Sequence, residues 1–248
     1  LINIIMLIPL HQLVNHFKLN LRGVLHVGAH ECEEQNSYLQ HNIDNNNIYW
    51  IEAMEDKVKL MKERNSKLNI YQAVIDEVNN KEVIFNIADN GQSSSILEFG
   101  THAKHHPHVK MINKVKLETI RLDKLIKEKK IPIEKLNFMN LDIQGKELDA
   151  LKSMGDYIQY VQYIYTEVNT EKVYKDCALL PEIDEFLKEK GFQIVWVSLH
   201  KYDQTMSQEY RDIKPKCFYR SSSVLINIFL ALRYIYLKNS REKINLIH

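Results

Sequence analysis

Four residues that could take part in chemistry come directly after apolar, strand-like runs of this 248-residue chain. They are Gly28, Glu52, Asp142 and Glu167. Ligands of open α/β sheets bind beyond the carboxyl ends of the parallel strands, so we expect these residues to face one crevice. A glycine at such a position lets the backbone pass close to a ligand, and the N–H groups of the next helix point at the ligand's polar end. The set predicts a ligand site built from strand ends.

The spacing of two of these residues indicates a nucleoside. Glu52 lies 24 positions after Gly28, and an acid at about this separation can accept hydrogen bonds from both ribose hydroxyls of an adenosine-containing cofactor. Dinucleotide binding through G-x-G-x-x-G needs two more glycines. In the stretch "GVLHVGAHECEE", His30 and Cys32 stand at the positions where these glycines are expected. The missing glycines disfavour a nicotinamide-dependent oxidoreductase.

The charges of the same stretch favour a particular kind of ligand. Glu31, Glu33 and Glu34 stand at the expected helix start, where they would repel a pyrophosphate. A ligand with a cationic amino-acid group and no phosphate suits this acidic mouth better. Two side chains of the predicted site have structural alternatives. Asp142 could be a helix N-cap, and His30 could be a neutral imidazole bonded to the turn backbone.

Apolar runs and amphipathic stretches alternate along the chain, which is typical of βαβ units around a mostly parallel sheet. Strands are predicted near 23–29, 47–53, 68–75, 81–89, 113–120, 136–142, 161–169, 193–199 and 215–220. Helices are predicted near 31–41, 55–66, 121–130, 146–154 and 179–191. No internal repeat or low-complexity linker interrupts them. We expect one α/β domain over 13–220, followed by a C-terminal helical extension over 221–248.

Composition excludes several other classes of protein. Hydrophobic content of 45% and charged content of 26% are ordinary globular values. A net charge of +1 gives no general attraction to nucleic acid. Cys32, Cys177 and Cys217 are widely spaced and form neither a CxxC pair nor a disulfide framework. A reducing, cytoplasmic location is therefore expected.

Both ends of the chain are apolar, and neither predicts a membrane span. "LINIIMLIPL" lacks the basic region and cleavage site of a signal peptide. Met6 would be a natural start, so the residues before it are not expected to belong to the native domain. The run 224–237 is too short and too interrupted by Arg233 to cross a bilayer. It predicts a packed helix, with the alternative of membrane-surface or partner contact through 224–243, because basic residues follow it.

From about Leu13 to Arg220, the chain resembles the FkbM family of S-adenosylmethionine-dependent methyltransferases. The segments that carry the resemblance are "LHVGAHECEE", "YWIEA", "ADNGQSSSIL", "TIRLDKL", "NLDIQGKELDALK" and "YIYTEVNTEKVYKDCALLPEIDEFLKEKGF". The resemblance implies a Rossmann-like, mostly parallel seven-stranded sheet with helices on both faces and an antiparallel closing strand. It also implies S-adenosylmethionine as cofactor and O-methylation, often of a sugar hydroxyl on a glycan or natural product.

The resemblance also implies roles for individual residues. The cofactor-binding residues would be Gly28, Ala29, His30, Glu52, Ala53, Ala73, Val74, Asp89 and Asp142. The first three would lie against the methionine part of the cofactor, and Glu52 would hold the ribose. Ala73 and Val74 would border the adenine, with 89–95 as a lid, and Asp142 would stand near the sulfonium. The family usually has glycine where this chain has Cys32, which we interpret as a tolerated substitution without a catalytic thiol.

A hydroxyl acceptor must also lose a proton, so a general base is expected nearby. Histidine is a natural choice because its ordinary pKa lies near neutrality. The candidates are Asp142, Glu167, His102, His105, His106, His108 and His200, of which Asp142, His200 and Glu167 are predicted to be catalytic. The run "HAKHHPH" could instead be a solvated loop. A metal site is not expected there, because Pro107 interrupts the run and no cysteine is near.

The acceptor side of the predicted site is the least familiar part of the sequence. Many relatives close with a "GWGDALY"-like segment, and this chain has "SLHKYDQTMSQEYRDIKPKCFYR" instead. This departure leaves the acceptor open. It also motivates the alternative of a catalytically idle domain that binds a partner.

Overall fold

A computed structural model describes residues 9–198 and 216–221. Its strands are β1 (Val24–Val27), β2 (Ile48–Glu52), β3 (Asn69–Gln72), β4 (Val74–Ile75), β5 (Glu82–Ala88), β6 (Met111–Ile120), β7 (Phe138–Leu141), β8 (Tyr163–Glu167), β9 (Phe192–Ser198) and β10 (Lys216–Ser221). Its α-helices are α1 (Leu10–Phe17), α2 (Gln35–Gln40), α3 (Glu55–Arg64), α4 (His102–His105), α5 (Leu122–Glu128), α6 (Glu147–Ser153) and α7 (Leu180–Glu189).

The main sheet contains seven of the described strands, in the order β3-β2-β1-β7-β8-β10-β9. The first five run parallel. Strand β10 is antiparallel to β8 on one side and to β9 on the other. The order reverses beside β1, which creates the switch point where ligands of such sheets bind. The predicted fold class, a mostly parallel sheet with an antiparallel closing strand, is confirmed.

The register of the central strands places their carboxyl ends in one row. Val27 is paired with Ile51 on one side and with Leu141 on the other, and Leu141 is paired with Thr166. The residues that follow these four positions are Gly28, Glu52, Asp142 and Glu167. The four expected strand-end residues therefore lie side by side. Since neighbouring strands lie about 4.8 Å apart, the row spans roughly 14 Å.

Each face of the sheet carries its own hydrophobic core, because successive side chains of a strand point to opposite sides. One core contains Leu25, Val27, Met139, Leu141 and Ile164, covered by buried residues of α5, α6 and α7. The other contains Val24, Trp50, Phe138, Tyr163 and Tyr165, covered by α1, α2 and α3. Covering both faces explains why the central strands read as nearly continuous apolar runs.

A second, three-stranded sheet has the order β4-β6-β5. Its β5 and β6 form an antiparallel pair, and β4 adds to β6 in parallel. The single strand predicted over 68–75 is therefore divided between two sheets. The chain leaves the main sheet at Ala73, whose N–H still donates to the Glu52 carbonyl, and Val74 then pairs with Thr119 of β6.

Two helices differ from the sequence-based expectations. Helix α2 begins at Gln35 and not near 31, because His30 and Cys32 have the left-handed φ values of 44° and 55°, which no α-helix accommodates. Helix α1 was not predicted, although its side chains Leu10 and Leu13 are fully buried in the second core.

The described residues do not test the predicted domain bounds. Most of the extension predicted over 221–248 lies outside them, as does the segment 224–243 proposed to contact a membrane surface. Within the described residues, no helix is long and apolar enough to cross a bilayer.

Candidate active site

An open cleft lies at the carboxyl ends of β1, β2 and β7, the place where ligands of open α/β sheets bind. The second sheet and the loop after β5 form its other wall. The lining residues are Val27, Gly28, His30, Ile51, Glu52, Ala53, Met54, Ala73, Val74, Ile75, Phe85, Gly91, Gln92, Ser94, Ile96, Asp142, Ile143, Gln144 and Lys146. Seven of the nine expected cofactor-binding residues are among them.

Glu52 is a buried carboxylate on the cleft wall, with 6% of its surface exposed. One oxygen accepts the His30 N–H at 2.7 Å and the other accepts the Met54 N–H at 2.9 Å. Burial raises the pKa of Glu52, and these two backbone hydrogen bonds oppose the rise. The carboxylate thus joins the turn after β1 to the turn after β2.

His30, in the turn after β1, is held at two points. Its N–H is bound by Glu52, and its Nδ1 lies 2.6 Å from Oε1 of Glu33. Its Nε2 is buried and has no hydrogen-bond partner, and the residue is part of the cleft lining. A ring nitrogen fixed this way is a ready partner for a polar group of a ligand.

The acidic residues of the first turn do not line the cleft, contrary to the expectation of an acidic mouth. Glu31 bonds to Lys57 at 2.6 Å and to Arg64 at 2.8 Å. These hydrogen bonds, that of Lys57 first, lower the pKa of Glu31 to about 2. Both carboxylates are thus engaged within the protein, Glu31 with Lys57 and Arg64 of α3 and Glu33 with His30.

Gly28 is required by the packing of the two central strands. Its φ is +93°, and a Cβ at this position would lie 1.9 Å from the carbonyl oxygen of Asp142. Its N–H donates to the Ile51 carbonyl at 2.9 Å. The turn after β1 is therefore pressed against the turn after β7, and no side chain fits between them.

Cys32 is buried, with 3% of its surface exposed. Burial is the main cause that raises the pKa of its thiol, and nearby carboxylates add to it. A thiol of this kind is a poor nucleophile, in keeping with the interpretation of Cys32 as a tolerated substitution. Cys32 has a positive φ, a backbone conformation that glycine adopts without strain. This agrees with the glycine that the family usually has at this position.

Asp142 stands on the cleft wall beside Gln144. The Gln144 Nε2 donates to Asp142 Oδ1 at 2.6 Å and lies 3.4 Å from Glu167 Oε2. The amide thus links the carboxylates at the ends of β7 and β8. Glu167 itself is buried behind Gln144 and is not on the cleft wall.

Glu147 stabilises the turn that carries Asp142. This fully buried carboxylate accepts the Ile143 N–H at 3.0 Å and the Gly145 N–H at 3.0 Å. Burial, followed by the charges of Glu167 and Asp142, raises the pKa of Glu147 to about 7. Glu147 is not among the site residues expected from the sequence, although an acid in the first turn of α6 is a visible signal for a helix start.

Two other expected site residues, Ala29 and Asp89, do not line the cleft. Ala29 is buried in the second core. Asp89 is exposed after β5 and bonds to the Lys110 N–H. His200 is outside the described residues.

The histidine-rich segment begins with α4 and does not line the cleft. His102 is buried and stacks on Phe99 with ring centres 4.1 Å apart. His105 Nε2 lies 3.0 Å from Glu171 Oε1. Among the described residues, no group of three or more histidine, cysteine or acidic side chains could hold a metal ion.

Several cleft residues were not among the site residues expected from the sequence. Phe85 and Ile96 come from β5 and from the loop after it, and Lys146 follows the β7 turn. Lys146 is paired with Asp76 at 3.3 Å and with Asp149 at 2.8 Å. These positions depend on how the second sheet folds over the strand ends, which local patterns do not reveal.

The fold and the site together define a class. A sheet with five parallel strands, an antiparallel closing pair and a cleft at the switch point is the architecture of Rossmann-like methyltransferases. Residues 26–194 match the Methyltransferase FkbM domain, and the chain belongs to that family. The cofactor of the family is S-adenosylmethionine. No curated protein matches the chain.

Solved structures with a similar fold are distant in sequence. An FkbM methyltransferase from Methylobacillus flagellatus KT is 14% identical with a TM-score of 0.50, over 81% of this chain and 43% of that one. A magnesium protoporphyrin IX methyltransferase from Synechocystis, solved with S-adenosylmethionine, is 9% identical with a TM-score of 0.47, over 86% and 76%. At such identities the likeness concerns the fold alone. This chain spans less than half the length of the Methylobacillus protein.

Replacing Gly28 by alanine tests the close approach of the two turns. We expect Gly28→Ala to lower the free energy of unfolding by about 3 kcal/mol or more, from backbone strain plus overpacking. Gly191→Ala is the matched control, because Gly191 also has a positive φ but no atom within 4 Å of its added Cβ. It should lose only about 1 kcal/mol. Equal losses in urea unfolding would contradict the packing role of Gly28.

The buried carboxylate of Glu147 should make stability depend on pH. Its pKa is raised on folding to about 7, so between about pH 4.5 and 7 the native state keeps a proton that the unfolded chain releases. Stability therefore falls as pH rises through this window. Glu147→Gln removes the titration and should flatten the fall measured by urea unfolding at pH 5 and 7.5. The exposed Glu185→Gln should leave it unchanged, and a Glu147→Gln profile parallel to wild type would refute the assignment.

Proposed function

We propose that this chain is an S-adenosylmethionine-dependent O-methyltransferase that acts on a hydroxyl of a sugar, a glycan or a similar small acceptor. The observation that carries the proposal is the row of strand ends, in which Gly28, Glu52 and Asp142 line one cleft. The family assignment supports methyl transfer. The hydroxyl acceptor is supported by the carboxylates beside the cleft, which can accept hydrogen bonds and a proton from an alcohol.

The residues of the cleft suit the cofactor. Each Glu52 oxygen accepts one backbone N–H, and a carboxylate oxygen has a second lone pair with which it can accept a ribose hydroxyl. The buried, unpartnered Nε2 of His30 suits the polar amino-acid end of the cofactor. Ala73, Val74 and Phe85 provide an apolar surface for the adenine. We assign Ala53 to the same ribose side, next to Glu52.

The chemistry divides between the cofactor and the protein. When bound, S-adenosylmethionine supplies a methyl group to the acceptor oxygen and leaves as neutral S-adenosylhomocysteine. The protein's contribution is to hold the acceptor oxygen in line and to remove its proton. We assign these tasks to Asp142, which lines the cleft. Glu167, which the Gln144 amide links to Asp142, and His200 complete the proposed catalytic set.

The proposed location is the cytoplasm. Cys32 and Cys177 are both buried free thiols, and unlinked cysteines suit a reducing compartment.

We assign the loop 89–95 as a lid over the adenine, because Gly91, Gln92 and Ser94 line the cleft.

Glu52→Gln tests the ribose role. An amide has one acceptor oxygen where the carboxylate has two, so it cannot bind both backbone N–H groups and both hydroxyls. We expect calorimetry to show an affinity for S-adenosylhomocysteine about 10–100-fold weaker, the equivalent of losing hydrogen bonds to a charged group. Glu55→Gln, on the exposed start of α3, is the control and should bind like wild type. An unchanged affinity in Glu52→Gln would remove Glu52 from the ribose role.

The same variants test the reaction. Wild-type protein incubated with methyl-labelled S-adenosylmethionine and fractionated glycans should transfer label to a hydroxyl, and Glu52→Gln should transfer much less. Transfer to protein or nucleic acid in place of the glycan fraction would contradict the proposed acceptor. Binding without transfer to any fraction would favour the idle binding domain.

A further inference from the structure

Gln144 lies at the centre of the cleft's acidic side. Its side chain separates Asp142, which faces the cleft, from Glu167, which is buried behind it. Its backbone carbonyl accepts the Ser95 hydroxyl at 2.9 Å. The residue therefore touches the end of β7, the end of β8 and the loop after β5.

The orientation of the Gln144 amide is set from both sides. Its Nε2 donates to Asp142 Oδ1 at 2.6 Å, while its Oε1 accepts the hydroxyl of the buried Tyr174 at 2.5 Å. Turning the amide by 180° would place a carbonyl oxygen against a carboxylate, an arrangement without a hydrogen bond. These two contacts favour the orientation in which the amide presents its donor side to Asp142.

The backbone of Gln144 is also held in a strained conformation. Its φ is +57°, in the left-handed region that a residue with a Cβ rarely adopts. The N–H groups of the residues on either side of it are bound by the buried Glu147. Strain that persists at a ligand cleft is a mark of positions whose geometry matters for function.

We propose that Gln144 is a positioning residue that fixes the carboxylate of Asp142 in the orientation that faces the sulfonium of S-adenosylmethionine, and that Tyr174 fixes Gln144. This inference rests on the proposed function. Gln144 suits the task because it is neutral: it donates to Asp142 without cancelling the negative charge that would attract the sulfonium. A lysine or arginine at this position would cancel that charge.

The test uses two ligands that differ in charge at the sulfur atom. S-adenosylmethionine carries a sulfonium cation, and S-adenosylhomocysteine carries a neutral thioether. The affinity for S-adenosylmethionine divided by the affinity for S-adenosylhomocysteine, both measured by calorimetry, reports the electrostatic effect of Asp142 at the sulfur. A change that merely loosens the cleft would weaken both ligands together and leave the ratio unchanged.

We expect Gln144→Met, which keeps the length but removes the donor, to lower this ratio about tenfold, the size of one hydrogen bond to a charged group. Tyr174→Phe should lower it in the same direction by less. Gln40→Met makes the same replacement at an exposed position at the end of α2, away from the cleft, and should keep the wild-type ratio. Thermal melts identify any variant that does not fold, in which case the other variant decides.

The outcomes separate the two proposals. An unchanged ratio in the folded Gln144 and Tyr174 variants, with wild type binding both ligands, overturns the positioning role and leaves the proposed function standing. A wild-type protein that binds neither ligand overturns the proposed function and this inference with it.

Discussion

The close approach of two turns is the constraint on which the rest of the site depends. The carbonyl oxygen of Asp142 occupies the place where a side chain of Gly28 would begin. Strands β1 and β7 therefore end at the same level with their turns in contact, and the cleft opens directly above that contact. Any side chain at position 28 would separate the turns and displace Asp142 from the cleft wall. The one glycine that remains in the first turn is thus the one that the sheet itself requires.

The other unusual backbone positions of the first turn are stabilised by side chains instead. His30 and Cys32 have positive φ values without being glycine, which costs of the order of 1–3 kcal/mol each. Glu52 compensates by binding the His30 N–H, and burial of Cys32 adds apolar contact. The carboxylate proposed to hold the ribose therefore also holds the turn that would meet the methionine part. This double role makes the first two strand ends a single unit.

The sequence was enough to predict a mostly parallel sheet and the row of strand ends, because both follow from where apolar runs stop. The number of strands and the antiparallel closing strand were implied by the family resemblance. It could not predict the partners of charged residues distant along the chain. Glu31 was expected at an acidic mouth, but Lys57 and Arg64 of α3 bind it. The wall formed by Phe85 and Ile96 depends on a second sheet folding over the first. The role of Gln144 depends on Tyr174, thirty residues later.

The measurement that tests the central claim most directly is a crystal structure of the protein with S-adenosylhomocysteine. The account predicts ligand density in the cleft, with the ribose hydroxyls on the Glu52 carboxylate, the amino-acid end beside Gly28 and His30, and the sulfur toward Asp142. Ligand bound elsewhere on the protein, or bound in the cleft with its ribose away from Glu52, would contradict it.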